Sequence, residues 1–167
     1  MTGPGSATSH EVASVLVVDD APEVAALLEP LLRARGFLVS IAADGCSALE
    51  IIHRETPDVV ILDIGLPDID GFDVCQQAVD AGVPLVLLLS ARSDEADRIR
   101  GFAAGAADYV VKPFSPREVG LRVDGLLRRA TSTLDRTALQ SQRDAIASEY
   151  ERAREVKRQF LTNVSHE

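Results

Sequence analysis

The first part of the chain alternates short apolar runs with longer stretches of helical character. Val15-Leu16-Val17-Val18 is one such run, and it stops at Asp19-Asp20. Runs at 59–62, 84–89 and 109–111, and one at 37–42 interrupted by Ser40, predict four further strands. Between them, 22–35, 45–53, 71–81 and 94–104 read as helices, and a fifth begins at Ser115. Pro22 falls at the first turn of the first helix and Gly36 just past its end, where each residue suits the backbone. Strands apolar at every position are buried on both faces, which is the mark of a parallel sheet covered by helices. Five βα units of this size predict a doubly wound α/β domain with a five-stranded parallel sheet in the order 2-1-3-4-5.

Beyond Arg128 the pattern changes. Gly and Pro disappear, and Ala, Arg, Gln, Glu and Leu, all strong helix formers, take over. Leu139, Ile146, Ala153 and Phe160 recur at every seventh position, with Val156 and Val164 beside them. The seam is weak, because Gln142 and Glu149 stand where apolar companions belong. A lone amphipathic helix would share this pattern, but the unbroken run favours a long C-terminal helix in a parallel coiled coil, hence a homodimer. The expected organisation is a flexible leader at 1–13, a domain at 14–129 and a helical linker at 130–167.

Composition narrows the setting. With 46 % hydrophobic residues the domain can build a core without disulfides or metal staples. The two cysteines, Cys46 and Cys75, form no metal-binding or redox motif, and Cys75 reads as a small core residue. No apolar run is long enough for a membrane span, and the Gly/Pro/Ser-rich start lacks the regions of a signal peptide, so a cytoplasmic protein is expected. His10 and His53 carry no motif and read as surface side chains. Residues 1–127 hold 9 Lys/Arg against 20 Asp/Glu, whereas 128–167 hold 8 against 6. An acidic front domain repels phosphate backbones, so no nucleic-acid binding is expected of it.

Ligands of open parallel sheets bind outside the strand carboxyl ends. Those ends carry Asp19 and Asp20, Asp63, Ser90 and Lys112. Carboxylates supply the hard oxygen donors that suit Mg²⁺, and a carboxylate can itself attack phosphorus. The metal and Lys112 would neutralise charge on a transferring phosphoryl group, with Ser90 hydrogen-bonding it. Taken singly, Asp19, Asp20 or Ser90 could be helix caps, Asp63 a polar strand end and Lys112 a solvated lysine. Their shared position at the strand ends argues otherwise.

The same residues bring a family into view. Val17-Val18-Asp19-Asp20, Ile61-Leu62-Asp63-Ile64-Gly65-Leu66-Pro67, Asp70-Gly71, Leu89-Ser90-Ala91, Gly105-Ala106-Ala107-Asp108-Tyr109 and Lys112-Pro113-Phe114, in that order, resemble a flavodoxin-like response-regulator receiver domain. The resemblance implies that Asp63 is the phosphoacceptor and that Asp20 ligates Mg²⁺ directly. It implies also that Asp19 acts through water and that the Gly65 carbonyl completes the protein ligands. Ser90 and Tyr109 would form the switch pair, Pro113 would follow a cis bond, and the phosphodonor would be a histidine kinase or a phosphotransfer protein.

The last residues, Phe160-Leu161-Thr162-Asn163-Val164-Ser165-His166-Glu167, resemble the opening of a histidine-kinase dimerisation helix. That resemblance implies a parent sensor histidine kinase with His166 as its phosphoacceptor; the ATP-binding domain such a kinase needs is not in this stretch. Two rivals are a dimerisation module with an inactive pocket and an aspartate-nucleophile phosphatase. The phosphatase needs a second acid two residues after the nucleophile, where Gly65 stands.

Overall fold

The computed structural model describes residues 12–165, with side chains undescribed at 133–139, 142, 164 and 165. The expected leader, apart from Val12 and Ala13, lies outside the described residues, as does His166. The chain divides into two units, 1–126 and 127–167.

In the first unit, strands β1 (Ser14–Val18), β2 (Leu38–Ala42), β3 (Val59–Asp63), β4 (Leu85–Ser90) and β5 (Asp108–Val111) alternate with helices α1 (Pro22–Ala34), α2 (Gly45–Glu55), α3 (Gly71–Asp80) and α4 (Glu95–Ala103). A fifth helix, α5 (Pro116–Ser165), begins there and continues as the second unit. The sheet has the order β2-β1-β3-β4-β5, and every pairing is parallel. The expected topology therefore holds, with element ends shifting by one or two residues. Ser90, expected just after the fourth strand, is its last residue, because Lys112 N–H bonds the Ser90 carbonyl (2.7 Å) and prolongs the ladder.

The core follows from the period of two. Leu16, Val18, Val60, Leu62, Val86 and Leu88 share one cluster with Ile52, Phe72, Val74 and Cys75. The alternate positions Val15, Val17, Val59, Ile61, Leu87 and Leu89 are equally buried, as are Leu28 and Leu32 of α1 and Val119 and Val123 of α5. Each large aliphatic side chain so buried contributes about 1.5–3 kcal/mol. At the lower rim Asp58 Oδ2 accepts bonds from the Ser14 N–H and hydroxyl, joining the starts of β1 and β3. Gly36, at φ +91°, ends α1 in the left-handed region that glycine adopts without steric cost.

In the second unit α5 is helical to Ser165, and its described side chains from Gln140 onward are exposed. Among the described residues no helix is long and apolar enough to cross a membrane.

Candidate functional site: an acidic cleft at the carboxyl edge of the sheet

The register of β1, β3 and β4 brings the strand ends level. Val18 pairs with Leu62, Asp63 with Leu89, and Ser90 with Val111, so residues distant in sequence meet at one edge. Asp19 (3 % exposed), Asp63 (6 %) and Ser90 (2 %) are the buried polar side chains of the described residues. Asp20 beside them is exposed.

Each buried group is held by identifiable partners. Asp19 Oδ1 accepts the Ala21 N–H at 2.9 Å and Oδ2 accepts from Lys112 Nζ at 3.1 Å. Ala21, not an aspartate, is the N-cap of α1, and it makes no side-chain cap bond. Asp63 Oδ1 accepts the Gly65 N–H at 3.2 Å and lies 3.4 Å from Lys112 Nζ. The Lys112–Pro113 bond is cis. The Ser90 hydroxyl oxygen accepts the Arg92 N–H at 2.9 Å, which leaves its hydrogen to donate elsewhere.

The electrostatics follow from burial and crowding. Removal from water and the neighbouring Asp19 charge push the Asp63 carboxyl above the ordinary range, against the opposing pull of Lys112 and the Gly65 N–H. Burial works against the Lys112 ammonium, but Asp19 and Asp63 outweigh it and hold its pKa above the usual lysine value.

Asp19, Asp20 and Asp63 offer oxygens that all lie within 4.8 Å of one another. Neighbouring ligands of an octahedral Mg²⁺ stand about 3.0 Å apart and opposite ones about 4.2 Å, so these carboxylates could hold such an ion by drawing together around it. Asp63, Ile64, Gly65, Ser90, Ala91, Arg92 and Lys112 line an adjoining cleft of about 220 Å³. Hard anionic oxygens, a cation and a hydroxyl around a space of this size suit a phosphoryl group.

Comparison with known proteins agrees with this geometry. Residues 15–124 match the response regulator receiver domain family. The chain belongs to that family. It is 48 % identical over 118 residues to the transcriptional regulatory protein CreB of Escherichia coli, covering 70 % of this chain and 51 % of CreB. It is 45 % identical over 116 residues to the DNA-binding response regulator MtrA of Mycolicibacterium smegmatis, covering 69 % and 50 %. The chain spans about half the length of these curated relatives. The solved receiver domain of the Francisella response regulator 1452 superposes with a TM-score of 0.66 at 31 % identity, covering 71 % of this chain and 98 % of that one. The chain thus contains a two-component receiver, and the family match ends before the second unit.

The receiver's expected residues Asp19, Asp20, Asp63, Gly65, Ser90 and Lys112 converge. Tyr109 sits behind them, 3 % exposed, with its hydroxyl donating to the Arg92 carbonyl at 2.8 Å. Cys75 is buried in the core and His53 is exposed, as expected. Sequence reasoning missed Arg92, whose backbone bonds both Ser90 and Tyr109. It missed Asp68 as well, whose carboxylate accepts the Gly45 N–H at 2.8 Å and the Cys46 N–H at 2.9 Å. A position two residues past Ser90 was a signal for Arg92; nothing in the linear pattern pairs Asp68 with a helix start 23 residues earlier.

Proposed function

We propose that the receiver is phosphorylated on Asp63 in a Mg²⁺-dependent reaction and passes that state to an output through the C-terminal helix. The observation that carries this reading is the convergence of Asp63 with Asp19, Asp20 and Lys112 at one edge of the sheet. An Asp63 oxygen forms the bond to phosphorus while the bond to the donor's leaving group breaks, and that group departs with the electron pair. Lys112 balances charge on the phosphoryl oxygens, and Ser90 donates its hydroxyl hydrogen to one of them. Asp19, Asp20, Asp63 and the Gly65 carbonyl would hold Mg²⁺, which when bound supplies further charge neutralisation. The donor would be a histidine kinase or a phosphotransfer protein in the cytoplasm.

The output reading rests on the tail. The run from Phe160 to Glu167 favours a histidine-kinase module after a homodimeric helical linker, with His166 as that module's phosphoacceptor and no nucleic-acid contact. A DNA-binding output is the second reading, favoured by the name of the relative MtrA, a DNA-binding response regulator, and by that of CreB, a transcriptional regulatory protein. Acetyl phosphate with Mg²⁺, followed by intact-mass analysis, tests the first step. One added phosphoryl group in the parent and none in Asp63→Asn is expected; equal labelling of both would overturn the assignment. Sequencing the locus past Glu167 decides between the outputs, by whether an ATP-binding or a DNA-binding domain follows.

A further inference from the structure

The loop from Ile64 to Asp70 connects β3 to α3 and carries Gly65, whose N–H bonds Asp63 Oδ1. Its start is anchored by the Ile64 N–H on the Leu89 carbonyl and its end by the Gly71 N–H on the Ile64 carbonyl. Between those anchors the Leu66 N–H bonds the Ile64 carbonyl at 3.0 Å across Gly65, and Asp68 beyond it reaches away from its own strand to α2. Its two carboxylate oxygens take the Gly45 and Cys46 N–H groups separately. The next N–H, that of Ser47, goes to the N-cap Asp44. Two carboxylates thus divide the first turn of α2, one local and one brought from the phosphoacceptor loop.

The approach of loop and helix is close. A Cβ on Gly45 would lie 3.0 Å from Ile69 Cβ and 3.2 Å from Asp68 Oδ1, so any larger residue there would push the loop back by a few tenths of an ångström. The two N–H bonds hold the Asp68 carboxyl down to about 2, so it is ionised across the neutral range.

We propose that Asp68 is a positioning residue of the phosphoacceptor pocket: by tying the N-terminus of α2 to the β3–α3 loop, it holds Gly65 against Asp63. The proposal rests on the reading of Asp63 as phosphoacceptor only for its consequence in labelling; the hold on Gly65 stands independently. A side chain exposed to solvent and three residues from Gly65 contributes through the loop's backbone and touches no reacting atom.

The test uses the whole chain with Asp68→Ala, Asp68→Asn and Gly45→Ala, and reads amide hydrogen exchange and the rate of labelling by acetyl phosphate with Mg²⁺. In Asp68→Ala, exchange at Gly65 should accelerate along with that at Gly45 and Cys46. Labelling of Asp63 should slow on the order of 10-fold, the scale of losing an outer-shell support of a metal site. Asp68→Asn keeps one acceptor oxygen and should fall between parent and Asp68→Ala. Gly45→Ala, pushing from the helix side, should move both readouts in the same direction. If Asp68 only caps α2, exchange will rise at Gly45 and Cys46 alone, with Gly65 and labelling at parental rates, and the proposal is overturned. If the parent chain itself takes no label, the phosphoacceptor reading fails, and Gly65 exchange still decides whether Asp68 holds the loop.

Discussion

Lys112 Nζ stands 3.4 Å from Asp63 Oδ1, yet its shorter contact, 3.1 Å, is with Asp19. One ammonium therefore serves two carboxylates that burial has forced together, and it lowers the cost of charging Asp63. Removing it should leave the fold intact, because the Lys112 side chain is partly exposed and packs no core. Lys112→Ala is expected to raise the Asp63 carboxyl further, since one of the influences lowering it is lost. A carbon-detected NMR titration of the aspartate side chains follows this directly. The same variant should bind a beryllofluoride mimic less tightly, and parental affinity would remove Lys112 from the phosphoryl contacts.

The direction of the Asp63 shift makes a second prediction, about stability. A carboxyl raised on folding contributes stability below its ordinary value of 3.8 and loses it as pH climbs through the raised value. At neutral pH without metal, ionised Asp63 is thus a net cost. Asp63→Asn removes the charge and keeps the shape, so it should stabilise the metal-free protein by on the order of 1 kcal/mol, or several degrees in Tm. The advantage should vanish below about pH 4, where both proteins carry a neutral group. Thermal melts at pH 7.5 and pH 3.5 check the sign; a destabilised Asp63→Asn at neutral pH would contradict it.

Asp20 offers a cleaner test of metal binding, because it is exposed while Asp19 and Asp63 are buried. A ligand that binds only the folded state stabilises it by about 2.7 kcal/mol at a hundredfold excess over Kd. Mg²⁺ should accordingly raise the Tm of the parent. Asp20→Ala should melt close to the metal-free parent and show little response to Mg²⁺. A full Mg²⁺ response in that variant would move the ion away from Asp20.

Close contacts also constrain the packing of α4 against Tyr109. A Cβ on Gly101 of α4 would fall 2.8 Å from Leu88 Cδ1 and 3.3 Å from the Tyr109 ring. Gly101→Ala should therefore displace α4 or Tyr109 and cost about 1–3 kcal/mol, the usual range for overpacking. Urea melts give the energy, and the NMR shifts of Tyr109 show whether its ring has moved. An unperturbed Tyr109 would place the accommodation in Leu88.

The topology and most of the cleft were legible in the sequence because parallel strands announce themselves twice. The β1, β3 and β4 runs are apolar from end to end, and each stops abruptly at a polar residue that the fold carries to the same edge. Asp19, Asp63 and Lys112 stand out against Val18, Leu62 and Val111 in the sequence itself. Element ends were less legible: β4 reaches Ser90 only because a backbone bond from Lys112 extends it. Asp68 was illegible for a different reason. It is an exposed acid in an acidic loop, and what distinguishes it is the approach of α2, a tertiary fact. The tail lies between these cases, since its helix was readable from composition while what packs on it, if anything, was not.

Whether a partner covers the tail can be tested by experiment. Ile146, Tyr150, Ala153, Val156 and Phe160 are all exposed, and their spacings of three and four residues place them on one stripe of α5. A stripe repeating every seven residues drifts slowly around a straight helix, and left-handed supercoiling with a second helix keeps it buried. An isolated helix with such a stripe gains little from propensity alone and draws most of its stability from packing. The expected partner is a second copy, giving a parallel homodimer. Light scattering should therefore find the full chain dimeric and a version ending at Arg129 monomeric. Phe160→Ala should weaken the dimer by about 10- to 100-fold in Kd, corresponding to roughly 1.5–3 kcal/mol of lost apolar burial. Spin labels at Ser148 and Lys157 should each give a short interchain distance if the helices run parallel and in register, whereas an antiparallel pair would hold at least one of these same-site distances long. A truncated chain as dimeric as its parent would place the interface on the receiver and leave the stripe for a different partner.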